Sequence, residues 1–141
     1  MKILHIDITG PFEEDMSYQE NLISKYHAID GHEVIMLTTC YKWDNTGKIS
    51  YMPPTDKLMS YGVHLIRMNY HKIINSFITS KIRKVDGIYQ FIKQLSPDII
   101  FFHCPQTIEL LTVVKYIKNN PGIRLFIDNH SDFSNSATNF I

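Results

Sequence analysis

Four side chains of this 141-residue sequence stand where chemistry is most plausible: His71, His103, His130 and Asp132. Each follows an apolar run that reads as a strand, or lies within a few residues of one. Imidazole titrates near neutral pH and can pass a proton or donate to an oxyanion. Carboxylates and imidazoles are also metal-ligand types. No H-x-x-x-H or H-E-x-x-H spacing occurs, however, so a metal site has no sequence support. Ser131 is the neighbour of His130, but no G-x-S-x-G elbow shapes a nucleophile there. Gly10 follows the first apolar run without the other glycines of G-x-G-x-x-G, and the second run ends Thr38-Thr39-Cys40 without the acid that holds a ribose. Both absences weigh against a nicotinamide cofactor. No P-loop is present.

The elements that position these residues alternate. Lys2–Ile8 reads as a strand with apolar residues Ile3, Leu4, Ile6 and Ile8. Ser17-Tyr18-Gln19-Glu20 matches a capping box. Tyr18, Leu22, Tyr26 and Ile29 then recur at helical spacing, which predicts them as the packing face, with Gly31 at the helix end. A second strand follows at Glu33–Thr38. Residues 40–61 read as an exposed excursion with a short strand near Ile49–Met52. Tyr41 and Trp43 are expected to fold that loop onto the body, the alternative being to stack on a sugar or base. A third strand is expected at Val63–Arg67. Residues 69–80 fit loop or helix. Ile82, Val85, Ile88, Ile92 and Leu95 predict one amphipathic helix, ended by Ser96-Pro97. Asp98–His103 and Ile123–Asp128 are the fourth and fifth strands, with a helix on Ile108, Leu111, Val114 and Ile117 between them.

Such alternation predicts one α/β domain over residues 1–141: Rossmann-like, doubly wound, with a mainly parallel sheet and helices on both faces. Ligands of such sheets bind outside the carboxyl ends of the strands. That places Thr9-Gly10, Asn69-Tyr70-His71, His103-Cys104 and His130-Ser131-Asp132 along one rim.

Fourteen basic residues balance fourteen acidic ones, which argues against a general nucleic-acid binder. No apolar run approaches the length of a membrane span. The early His5 and Asp7 do not fit a signal peptide. Cys40 and Cys104 form no CxxC pair, and reduced thiols in a cytoplasmic protein are the simple expectation. Lys81-Ile82-Arg83-Lys84, beside Tyr70, His71, Lys72 and Phe77, suits either a solvated helix face or a peripheral contact at the inner face of a membrane.

Three segments carry a resemblance. Thr9-Gly10-Pro11-Phe12 with Tyr18-Gln19-Glu20-Asn21-Leu22 and Gly31-His32-Glu33-Val34, then Ser96-Pro97-Asp98-Ile99-Ile100-Phe101-Phe102-His103, then Phe126-Ile127-Asp128-Asn129-His130-Ser131-Asp132, resemble the N-terminal domain of GT-B glycosyltransferases, in particular the retaining family-four group. The resemblance spans nearly the whole chain. It implies the acceptor side of a two-domain cleft, with a nucleotide-sugar donor as substrate and a sugar or glycan acceptor as partner. It implies no resident metal or cofactor. His130 matches the histidine near the transferred sugar and is the catalytic candidate. Gly10 matches the small residue of the first loop, and His103, Ser131 and Asp132 fall beside the cleft, Asp132 as a helix N-cap. Gly10-Pro11 stands where family members often carry two glycines, which argues against a direct backbone contact to a donor phosphate. The donor-binding basic residues and glutamate pair of the family's second domain have no counterpart here, which implies an isolated chain inactive alone. The rival expectation is a stand-alone α/β ligand-binding or interaction module without catalytic activity.

Overall fold

A computed structural model describes residues 1–72 and 75–129. Six strands form one sheet in the order β5-β6-β2-β1-β7-β8. They are β1 (Lys2–Asp7), β2 (Glu33–Thr39), β5 (Thr55–Leu58), β6 (Val63–Met68), β7 (Ile99–His103) and β8 (Arg124–Asp128). All neighbours pair in parallel except β5, which runs antiparallel on β6 at one edge. A separate hairpin joins β3 (Tyr41–Trp43) to β4 (Ile49–Tyr51). The helices are α1 (Gln19–Ile29), α2 (Ser76–Ile82), α3 (Ile88–Leu95) and α4 (Glu109–Asn119). This is an α/β architecture with a mostly parallel sheet, compatible with a Rossmann-like fold.

Side chains alternate across a strand, and β2 accordingly feeds two clusters. Leu4, Ile6, Ile35, Leu37, Ile100 and Phe102 pack with Ile88 and Ile92 of α3 and Val113 and Tyr116 of α4. Val34, Met36, Val63 and Leu65 pack with Phe12 and with Ala28 of α1. Complete burial of a Leu or Ile contributes about 1.5–3 kcal/mol. β2 and β7 owe their central place to unbroken apolar runs, and β1 to an apolar run interrupted only by the buried His5.

Several local expectations change. The capping box does not form: Tyr18 is the N-cap of α1 and no side chain caps it. The Tyr18–Leu22–Tyr26–Ile29 stripe faces outward, with Tyr26 and Ile29 each 59% exposed, while Asn21 and Ser24 are buried. Asn21 wins that place because its amide donates to the carbonyls of Glu13 and Glu14, tying the helix to the loop before it. Gly31 does end α1. At φ 82° its N–H reaches the Ala28 carbonyl and that of His32 reaches His27, a Schellman closure.

The helix expected through Ile82–Leu95 is two helices. Arg83 turns left-handed at φ 51°, Val85 bridges to Tyr70, and Gly87 at φ 77° starts α3. Glu109 holds the break, accepting from the Val85 N–H at 2.8 Å. It is buried, and α4 is turned accordingly: Glu109, Val113 and Tyr116 point inward while Leu111 is exposed. The excursion contains β3, β4 and the edge strand β5 where only one short strand is expected.

Candidate functional site

The carboxyl ends of β1 and β6 open on a cleft of about 810 Å³. Its floor is the loop after β1, with Thr9, Gly10 and Pro11. Tyr41 of β3 and Ile49 of β4 form one wall; Tyr70, Lys72, the α2 residues Phe77, Thr79 and Ser80, and Arg83 just after α2 form the other. A cleft of this size suits a small-molecule ligand.

The walls are fixed by a few bonds. The Thr39 hydroxyl donates to the Gly10 carbonyl at 2.9 Å. The Phe12 N–H donates to the Tyr41 carbonyl at 3.0 Å. The Tyr70 hydroxyl donates to the Ile8 carbonyl, and its ring lies 5.6 Å from that of Tyr41. Burial raises the Tyr70 hydroxyl well above its ordinary pKa, so it remains a donor. Below the loop Arg67 is buried and donates to the carbonyls of Thr39 at 2.9 Å and Phe12 at 3.0 Å and to the Glu14 carboxylate at 3.3 Å. Its guanidinium also sits 5.5 Å from the Phe12 ring centre. One buried cation thus clamps the first loop to the end of β2. A Cβ added at Gly10 meets nothing within 4 Å, so the space beside it is open to a ligand.

A second constellation crosses the strand ends between α1 and β8. His103 Nδ1 lies 2.7 Å from Asp128 Oδ2, His103 Nε2 lies 2.9 Å from His5 Nδ1, and His5 Nε2 lies 3.1 Å from His27 Nδ1. His5 and His103 are stacked, and Phe101 lies flat against His5 at 5.0 Å. An ionised Asp128 requires the proton on Nδ1 of His103, and that choice propagates: each ring donates from Nδ1 and accepts at Nε2. Burial, then the neighbouring His103 and His27, push the His5 pKa from 6.5 down to about 2, so this ring stays neutral. Burial and the nearby His32 lower that of His27 as well.

Asp7 ends β1 among these groups. Burial raises its pKa from 3.8 to about 7, with the carboxylates of Glu20 and Asp128 adding to the rise; a bond from the Thr9 backbone opposes it. A carboxyl that ionises near neutrality, at the strand end that feeds the cleft loop, is the kind of group functional sites retain.

Of the residues singled out from the sequence, Gly10 lines the cleft. His103 is buried at the end of β7, bonded to His5 and Asp128, and does not line this cleft. His71 is an exposed partner of Asp86 at 2.7 Å. His130, Ser131 and Asp132 lie outside the described residues. Asp7, His5 and Arg67 carry no functional expectation from sequence, although polar residues at positions 5 and 7 of an otherwise apolar strand were a usable signal. Cys40 and Cys104 are free thiols. No group of three or more His, Cys, Asp or Glu among the described residues is arranged to hold a metal ion. No described helix is long and apolar enough to cross a membrane. Comparison with known protein families and with curated protein sequences finds no match to this chain.

Proposed function

We propose that this chain is the acceptor-side, N-terminal domain of a GT-B glycosyltransferase similar to the retaining family-four group. It carries a doubly wound Rossmann-like sheet with helices on both faces, and works in the cytoplasm. A hexosyl group passes from a nucleotide-sugar to a sugar or glycan acceptor. The donor is held by a second domain outside these residues, without a resident metal. The observation that carries the reading is the cleft at the carboxyl ends of β1 and β6, with Gly10 on its floor. Its position is where open α/β sheets bind ligands. The quoted segments also fall on matching elements: Gly31-His32-Glu33-Val34 at the turn into β2, and Pro97–His103 entering and ending β7. His130 is the proposed cleft histidine.

The test is amide NMR of the chain with saccharide acceptors and with nucleotide-sugars. Acceptors should shift Gly10, Tyr41 and Tyr70, and neither mixture should give turnover. Transfer by the chain alone, or acceptor shifts confined to residues away from the cleft, would overturn the reading. The described residues alone form a cleft of about 810 Å³, which favours a second reading as a stand-alone ligand-binding module. That reading predicts the same shifts but no transfer once a donor domain is joined in frame.

A further inference from the structure

The charges in the cleft say more about its ligand than its position does. Among the described residues Lys72 and Arg83 line it and no carboxylate does. The chain as a whole is neutral, so this is a local excess. Three cations elsewhere are paired, Lys2 with Glu33, Lys57 with Glu14 and Arg67 with Glu14, and the distinction of Lys72 and Arg83 is that both line one cleft. Among the described residues neither Lys72 nor Arg83 forms an ion pair. Arg83 is nevertheless held in place. Its Nη1 donates to the Gln106 carbonyl at 3.1 Å and its Nε to the Ser80 carbonyl at 3.2 Å. The guanidinium is thus oriented by neutral oxygens and its charge is left for a ligand. The same cleft carries Tyr41, Tyr70 and an exposed Phe77, and most of the lining surface is carbon. The volume exceeds what a phosphate ion fills. An anion on an apolar or ring body satisfies both halves, since desolvated charge needs a counter-charge and the aromatic wall needs something to cover it.

We infer that this cleft binds a phosphate ester with an apolar or aromatic body, its phosphate held between Lys72 and Arg83 and its body against Tyr41, Tyr70 and Phe77. Under the proposed function this is the acceptor, and the inference rests on that reading only for the word acceptor.

Binding to the purified chain is measured by calorimetry with hexyl phosphate, inorganic phosphate, 1-hexanol, and vesicles of phosphatidylcholine with or without phosphatidic acid. Hexyl phosphate should bind at least tenfold more tightly than inorganic phosphate or hexanol. Lys72→Gln should weaken it about tenfold at unchanged melting temperature, and Phe77→Ala should weaken hexyl phosphate while leaving inorganic phosphate alone. Arg83→Gln should act like Lys72→Gln; where it also lowers the melting temperature, Lys72→Gln decides. Equal affinity for hexyl phosphate and hexanol, or an unaffected Lys72→Gln variant, would overturn the inference. So would binding confined to phosphatidic-acid vesicles, which assigns the charge to a bilayer surface. Sugar transfer by the enzyme joined to its donor domain is read separately. Absent transfer with phosphate-ester binding intact removes the glycosyltransferase reading and leaves this one standing.

Discussion

Replacing Asp7 by Asn should stabilise the fold, and by an amount that grows with pH. Asp7 ionises near 7 in the fold against 3.8 ordinarily. Between those values the folded chain holds a proton that the unfolded chain has released. Stability then falls as pH rises, by about 1.4 kcal/mol per pH unit for one proton, and levels off above the folded pKa. Asparagine keeps the shape and removes this dependence. His5 acts in the opposite sense: its folded pKa of about 2 lies below its ordinary 6.5, so the unfolded chain binds the extra proton and stability falls as pH drops below 6.5. In the parent chain the two slopes oppose each other between pH 5 and 6.5. In Asp7→Asn the His5 slope stands uncovered, with His27 adding to it. The difference in unfolding free energy between variant and parent should therefore widen by about 2 kcal/mol from pH 5 to 6.5, reaching at most about 4 kcal/mol above pH 7. Urea unfolding at four pH values measures this, and carbon-13 titration of the Asp7 carboxyl checks the cause. A constant difference across the window, or an Asp7 resonance titrating near 4, would refute the reasoning.

Other perturbations separate support from function. Arg67→Met should cost about 3–5 kcal/mol in chemical denaturation, since it leaves buried carbonyls of Thr39 and Phe12 and part of Glu14 unpartnered. Gly10→Ala should change stability by no more than about 0.5 kcal/mol, as its Cβ enters open space; calorimetric titration with hexyl phosphate should nevertheless show weaker binding. Glu109→Ala should lower unfolding free energy by about 1–3 kcal/mol by orphaning the Val85 N–H, with amide exchange at Val85 accelerated most. In an enzyme completed by a donor domain, His130→Ala should lower kcat far more than the melting temperature; an equal loss of folded protein would assign that histidine a structural role.

The strands of the sheet centre were legible because burial on two sides leaves a continuous apolar run, as in Val34–Leu37 and Ile99–Phe102. The same rule fails for helices whose facing side is settled by polar bonds. α1 turns Asn21 and Ser24 inward, and α4 turns Glu109 inward, because each satisfies a backbone group that no aliphatic side chain can. The break at Arg83 was hidden for a related reason: the apolar spacing from Ile82 to Leu95 continues through it, although Val85 is packed from a bridge and not from a helix. β5 carries Asp56 and Lys57 and one covered edge, too little apolar pattern to announce a strand. Gly10 was visible from its place after β1. The roles of Asp7, His5 and Arg67 were not, although His5 and Asp7 interrupt an apolar strand, because those roles come from groups 13 to 121 positions away that only the sheet order brings near.

The row from His27 through His5 and His103 to Asp128 has a direction. Every ring points its hydrogen toward the carboxylate, so the four groups form a polarised line. Because His5 is held neutral at its centre, the row ties α1, β1, β7 and β8 side by side by hydrogen bonds that need no buried imidazolium at His5.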